Sequence, residues 1–397
     1  MWPLSIIFIM QAIITMAIYA IPVIIPVAAI DIGLNPESVG FLVTITYAIS
    51  TVTGLFCQAM ITRFGSERLF QLLLIFTAAS VLVLISASIP AAIAAAVLLG
   101  FASGPMNPTG SYILAKVVPV NRRGLVFSLK QCATPFGGIL AGVILPTLML
   151  RYGWKPAMLL IPLLAVVMIV LAPLGRLGKR EVQANPTPFS ILKTLRSLSV
   201  VTRGGPVRDL TIASTCLAAA QMALATYLVV YLWQEVGLNE AAAGLVFSVL
   251  HLSGILARIG LGFAADRFES AKWLLVSICL LLMLSLIAIG RFDSGWSLVA
   301  IYAVVSVAGA TGNGWVGLYY AELARLAPPD RIAEVTGASQ FFAYIGLLLG
   351  PVIFGSLLAL FDEYDTVLHM FAGLLMFAIV FLSRSNMNTP AAPISRE

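Results

Sequence analysis

The sequence predicts an all-α integral membrane protein: twelve transmembrane helices in two pseudo-symmetric six-helix bundles. Three observations lead there. Hydrophobic residues make up 60% of the 397 positions and charged residues 10%, against about 25% charge in an ordinary soluble domain, and mean hydropathy is +1.02. Apolar runs of about 20 residues, long enough to cross a hydrocarbon core of about 30 Å as helices, recur along the whole chain. The chain also repeats itself: Asp31-Ile-Gly33-Leu34-Asn35-Pro-Glu-Ser-Val-Gly40 returns as Glu235-Val-Gly237-Leu238-Asn239-Glu-Ala-Ala-Ala-Gly244 at an offset of 204 (237 − 33). Internal repeats in an apolar background are how many secondary transporters build two half-sites about a central cavity.

The runs fall at 5–30, 38–61, 69–88, 91–115, 124–150 and 155–173, then at 208–233, 241–265, 272–290, 296–324, 332–360 and 364–384. The longest polar interval separates the two sixes. Residues 1–173 therefore form the first bundle, 174–207 a cytoplasmic linker, 208–388 the second bundle and 389–397 a cytoplasmic tail. Within the linker, Phe189, Leu192, Leu195 and Leu198 recur at helical spacing, which predicts a short amphipathic helix on the membrane surface. The first run exceeds a signal-peptide apolar region and no convincing cleavage site follows it.

The net charge of +6 is a matter of orientation. With the N-terminus inside, the inner segments collect Arg63, Arg68, Lys116, Arg122, Arg123, Arg176, Lys179, Arg180, Arg267, Lys272, Arg325, Arg331 and Arg384, and the outer loops only Arg151, Lys155 and Arg291. That bias predicts both termini in the cytoplasm and a place in the cytoplasmic (inner) membrane, and it removes the case for a nucleic-acid partner. The four cysteines all fall inside predicted spans without a CxxC pair, and there are two histidines. No metal site or cofactor is expected. No Ser-His-Asp grouping or phosphate loop stands out, so no enzyme is expected either. A monomer is the expected state.

At the inner end of the eighth helix stands Gly262-Phe-Ala-Ala-Asp266-Arg267-Phe-Glu269, and its repeat mate is Gln58-Ala-Met-Ile-Thr62-Arg63-Phe64-Gly65. Here the chain resembles the major facilitator superfamily, whose loop motif reads roughly G-x-x-x-D-R-x-G-R-[KR]. The two copies are imperfect in complementary ways: the second has Glu269 in place of glycine, and the first has Gln58 and Thr62 in place of glycine and aspartate. The resemblance implies a latch that governs the conformational cycle, made by Gly262, Asp266, Arg267, Arg63 and Gly65, with Asp266 meeting the start of the fifth helix near Arg123. A carboxylate at a helix N-terminus is a physically sensible latch. A second repeat relation, at an offset of 209, links Gln131 and Gly137 with Gln340 and Gly346 (340 − 131), and small residues crowd the fifth and eleventh helices beyond it. Such spacing lets helices approach closely.

Charges inside the spans point to substrate, because each costs roughly 2.5–3.5 kcal/mol at mid-helix on insertion scales. Arg258 lies about 12 Å into the eighth helix from its inner end, and Lys130 about 10 Å into the fifth. Two cations without an evident acid to neutralise them suggest that an anion completes the charge, and an arginine fork suits a carboxylate. Ala257-Arg258-Ile-Gly-Leu-Gly262 also resembles the eighth-helix segment of the monocarboxylate and oxalate-formate-type organic anion transporters, which implies carboxylate binding by Arg258. That family carries an aspartate four residues before the arginine, where this chain has Gly254. His251, on nearly the same stripe, is a candidate for substrate contact or proton transfer. Asn107, Asn313, Trp315, Gln131 and Tyr344 complete the candidate substrate-binding set, with Gln11, Tyr19, Gln221 and Tyr227 as weaker candidates. Glu322 is the one acid placed to titrate in a transport cycle, with Arg325 one turn away.

The expected function is therefore secondary active transport of a small organic anion, a carboxylate, by alternating access with proton symport. Efflux of amphipathic or cationic compounds is the alternative within transport. A transport-inactive sensor or assembly subunit is the alternative of another class.

Overall fold

The structure is a computed structural model that describes residues 2–118, 126, 129–172, 201–202, 204–265, 272–327 and 332–387. Among the described residues there are fourteen α-helices, one 3-10 turn and no strand. The helices are α1 (Trp2–Ile32), α2 (Val39–Leu55), α3 (Cys57–Phe64), α4 (Ser66–Leu84), α5 (Ile89–Val117), α6 (Ala133–Tyr152), α7 (Trp154–Met158) and α8 (Leu160–Leu171), followed by α9 (Pro206–Gln234), α10 (Glu240–Ala265), α11 (Lys272–Ile289), α12 (Leu298–Leu326), α13 (Ile332–Phe361) and α14 (Tyr364–Arg384). Together they supply twelve segments long and apolar enough to span a bilayer. Three expected single helices are interrupted. The second breaks at Phe56, the fifth at Cys132 and the sixth at Leu159. At the last of these, Pro162 cannot donate the N–H that would bond back toward Met158. The predicted linker helix, with most of the interval 174–207, lies outside the described residues.

The repeated Gly-Leu-Asn is a helix stop followed by a restart. Gly33 and Gly237 take left-handed φ values of 82° and 74°, a conformation open to glycine at no steric cost. The N–H of Leu34 then returns to the Ala29 carbonyl at 2.9 Å, and that of Leu238 to the Leu232 carbonyl at 2.9 Å. Asn239 Oδ1 accepts from Ala242 N at 2.9 Å and opens α10.

The chain divides into two compact units. The first holds Met1–Phe189 with Ala225–His251. Its helices meet through glycines whose backbone is touched directly. A Cβ on Gly137 of α6 would stand 2.6 Å from the Ala12 carbonyl of α1, and one on Gly104 of α5 would stand 2.3 Å from the Ser50 carbonyl of α2. Between α6 and the first half of α10 the approach is reciprocal. A Cβ on Gly142 would lie 2.4 Å from the Gly244 carbonyl, and one on Gly244 would lie 2.4 Å from the Gly142 carbonyl. Ser248 of α10 spans the same seam, its hydroxyl 2.9 Å from the Gly244 carbonyl and 3.2 Å from the Ile139 carbonyl.

The second unit holds Ser190–Leu224 with Leu252–Glu397. Gly346 and Gly350 of α13 repeat the device against α9, each placing a would-be Cβ 2.3 Å from a carbonyl, of Thr215 and Ala219 respectively. Leucines such as Leu150 in the first unit and Leu360 in the second stay 66% and 73% exposed. Large apolar side chains left outward in this number are what a lipid-facing surface requires.

Candidate functional site

In the first unit a polar cluster forms around Lys130, in the helical turn that leads into α6. Its ammonium donates to the Asn107 carbonyl at 3.1 Å, to Asn107 Oδ1 at 2.8 Å and to Ser111 Oγ at 2.7 Å. An ammonium has three donors, so each hydrogen has a neutral oxygen to face, and the side chain is 1% exposed. Gln11 of α1 then donates through Nε2 to Asn107 Oδ1 at 3.3 Å and to Thr134 Oγ1 at 3.4 Å.

The second unit builds the same arrangement from different side chains. Gln221 of α9 donates through Nε2 to Asn313 Oδ1 at 3.1 Å. Arg258 of α10 donates through Nε to the Asn313 main-chain carbonyl at 2.7 Å. Trp315 donates its indole N–H to Gln221 Oε1 at 3.0 Å and to the Gly312 carbonyl at 3.0 Å. Asn313 and Trp315 are buried, while Arg258 and Gln221 are partly exposed. Each unit thus pairs a glutamine from the first helix of its repeat with an asparagine from the fourth, and seats a cation on that asparagine's own carbonyl. Anchoring Nε fixes the plane of the Arg258 guanidinium, which is the precondition for gripping a carboxylate at two points.

Gly254 makes the second cluster possible. A Cβ there would come within 2.4 Å of Asn313 Cβ and 3.2 Å of the Gly309 carbonyl. The space an acidic side chain would need four residues before Arg258 is occupied by the asparagine that anchors that arginine.

The remaining candidates divide. Tyr344 accepts from Gln340 Nε2 at 3.1 Å, and both lie in the second unit with Tyr320, which is within electrostatic reach of Arg258 and Tyr344. Gln131 is half-buried in the first unit beside Lys130. His251 is fully buried in the first unit: its ring centroid lies 4.6 Å from those of both Tyr19 and Phe247. Gly138 leaves it room, since a Cβ there would meet His251 Cδ2 at 2.4 Å. Glu322 is held at two points by Arg325, at 2.5 and 3.0 Å. Hydrogen bonding to Glu322 raises the arginine's already high pKa. Arg63 is exposed, its guanidinium 5.6 Å from the Phe64 ring centroid, and Gly65 takes a φ of 80°. Gly262 lies near the C-terminal end of α10, whereas Asp266, Arg267 and Arg123 lie outside the described residues.

From the sequence, Gln11 and Gln221 were separate, weaker candidates with nothing to link them to Asn107 and Asn313. The available signal was their shared place, each a lone amide in the middle of the first helix of its repeat.

The family model described as Major Facilitator Superfamily matches residues 7–351. Among curated proteins, an uncharacterized MFS-type transporter of Mycobacterium tuberculosis strain CDC 1551 is 24% identical over 65% of this chain, and the match spans 57% of that relative's length. A hexuronate transporter of Bacillus subtilis strain 168 is 21% identical over 89% of this chain and 87% of its own. A benzoate transport protein of Acinetobacter baylyi is 23% identical over 66% of this chain and 62% of its own. Among solved structures, a bacterial homologue of the human lysosomal transporter Spinster, in an inward-facing and occupied conformation, superposes with a TM-score of 0.75. It is 15% identical and covers 98% of both chains, a likeness of fold.

Proposed function

Since the chain belongs to the major facilitator superfamily, and is by that a multi-pass secondary transporter, we propose that its substrate is a small organic anion held through a carboxylate by Arg258. The observation that carries this reading is the guanidinium seated 2.7 Å from the Asn313 carbonyl inside the apolar span of α10. A cation that deep is costly to insert, and here Gly254, Asn313, Gln221 and Trp315 are all arranged around it. The relatives named for hexuronate and benzoate transport are both named for organic acids, which supports the anion class.

Lys130 has the supporting role in the first unit. Asn107 and Ser111 face its hydrogens, so it acts on an anion through its charge, and direct ligation requires exchanging one of those bonds. Gln131, Asn107, Asn313, Trp315 and Tyr344 belong to the surroundings of the two cations, and His251 to the seam beside Gly138. Gly262, Asp266, Arg267, Arg123, Arg63 and Gly65 are assigned to conformational control. Proton symport is the driving mode in this reading, with Glu322 and His251 as the titrating groups to test. The location is the inner membrane, with both termini cytoplasmic.

The test is counterflow uptake in proteoliposomes with labelled carboxylates, sugars and cationic drugs. Arg258→Gln is expected to abolish carboxylate uptake while the protein still inserts. Carboxylate uptake that survives Arg258→Gln, or uptake confined to neutral or cationic solutes, would overturn the assignment.

A further inference from the structure

The two amide pairs differ in one atom's environment. In the first unit the orientation of each amide follows from its neighbour. The Lys130 ammonium carries donors only, so the end of the Asn107 side chain that faces it is Oδ1, at 2.8 Å. That oxygen in turn requires a donor from Gln11, so Nε2 faces it, at 3.3 Å. The assignment of each amide is thus fixed by the cation at the end of the chain of bonds. Gln11 Oε1 must then point the other way, and there it is fully buried with no hydrogen-bond donor among the described residues.

In the second unit the corresponding oxygen, Gln221 Oε1, is met by the indole N–H of Trp315 at 3.0 Å. The offset relating Asn107 to Asn313 is 206 (313 − 107), and the same offset relates Trp315 to Thr109 (315 − 206). Thr109 does not replace the indole: its hydroxyl donates to the Pro105 carbonyl at 2.7 Å and lies 3.4 Å from Cys57 Sγ. The donor built into one repeat therefore has no counterpart at the matching position of the other. The two groups that receive Gln11 Nε2, Asn107 and Thr134, are both partly exposed, so the Gln11 side chain lies one residue away from an accessible surface.

Buried acceptors in proteins almost always have a partner, and a carboxylate cannot be one, because it brings acceptors alone. A hydroxyl can. We propose that Gln11 is a specificity-determining residue whose Oε1 accepts a hydrogen bond from a hydroxyl of the transported acid, which makes the substrate a hydroxylated or polyhydroxylated carboxylate and disfavours plain aliphatic and aromatic acids. The inference rests on the organic-anion reading above and narrows it.

The experiment uses the full-length protein in proteoliposomes and matched pairs of acids that differ only in hydroxyl groups: lactate with propionate, tartrate with succinate, galactarate with adipate. The readout is the ratio of half-inhibition concentrations within each pair, so a uniform loss of active protein cancels. The wild type is expected to prefer the hydroxylated member by about ten- to a hundredfold, the worth of one hydrogen bond to an otherwise bare buried acceptor. Gln11→Met is expected to bring that ratio close to one. Gln11→Asn, which keeps the amide but draws its oxygen back by a methylene, serves the same purpose if Gln11→Met fails to insert. A wild type that takes up both members equally, as it would if a water satisfied Oε1, overturns the inference and leaves the anion reading standing. So does a preference that survives both variants. A wild type that moves none of these carboxylates overturns both.

Discussion

Replacing Gly254 by alanine adds one methyl group at the point where α10 crosses α12, and the structure sets its cost. The new Cβ would sit 2.4 Å from Asn313 Cβ, 3.2 Å from Asn313 Cγ and 3.2 Å from the Gly309 carbonyl. The first contact cannot be relieved by swinging a flexible tip aside, because Cβ is fixed to the backbone, so the helices must part. Overpacking of this kind costs about 1–3 kcal/mol. Displacing Asn313 strains its bond to Gln221, worth about 0.5–1.5 kcal/mol. Against these stands a gain of about 1 kcal/mol for removing a glycine from a helix interior. The net is about 0.5–3.5 kcal/mol of destabilisation, so the clash outweighs the propensity gain. The same movement shifts the carbonyl that anchors Arg258, and a change of about 1.4 kcal/mol there is a tenfold rise in the concentration of acid needed for half-maximal uptake. Cys57, Cys132, Cys216 and Cys279 are all buried and none is in a disulfide, so a thiol-reactive fluorophore reports unfolding during a temperature ramp without added label sites. Gly254→Ala is expected to lower the midpoint and weaken uptake. Adding Asn313→Gly, which removes the opposing Cβ, is expected to recover the packing part of the loss and not the hydrogen-bond part. A Gly254→Ala protein with the wild-type midpoint and uptake would refute the approach of α10 and α12 described here.

Two further substitutions separate packing from function. Gly142→Ala puts a methyl group 2.3 Å from Ser248 Oγ and 2.4 Å from the Gly244 carbonyl; the thermal midpoint is expected to fall, with a loss of about 1–3 kcal/mol. Lys130→Met removes a buried cation whose hydrogens face neutral oxygens. Because desolvation of that charge is relieved, the midpoint is expected to hold or rise, while carboxylate uptake falls at least tenfold; a lowered midpoint that corresponds to a stability loss of more than about 2 kcal/mol would mark the lysine as structural.

The fold was legible because the length and apolarity of a span are local properties. The runs at 5–30 and 364–384, for example, correspond to α1 and α14 within a few residues. The left-handed turns at Gly33 and Gly237 were marked by their repetition, and the structure supplies the reason for it. The breaks at Phe56 and Leu159 escaped notice because the apolar run continues through each without a change of composition. At the site, Arg258 and Lys130 stood out as charges in hydrocarbon-length segments. Their partners did not: Gln11 and Asn107 are 96 positions apart and Gln221 and Asn313 are 92 apart, so only tertiary packing joins them. The aromatic setting of His251 was hidden for the same reason, since Tyr19 comes from the first helix of the chain. The meaning of Gly254 could be read from sequence only as a missing acid, and the structure turns it into a place reserved for Asn313.

The glycine seam between α6 and α10 has a bearing on how fast such a molecule can move. Where two helices interlock through long side chains, separating them means withdrawing each side chain from its slot, and every one adds friction to the motion. At Gly142 and Gly244 main chain comes against main chain, and the side chains beside the contact are the compact Ser248 and Pro146 and the edge of the Phe247 ring. The polar link is Ser248, whose hydroxyl lies within reach of a carbonyl on the opposite helix at 3.2 Å and one on its own helix at 2.9 Å. When the helices part, that hydroxyl keeps the partner it carries with it, and no bare donor is turned toward the lipid. The seam resembles a plain bearing over the stretch from Gly142 to Gly244, and the catch on it is the His251 ring seated against Gly138.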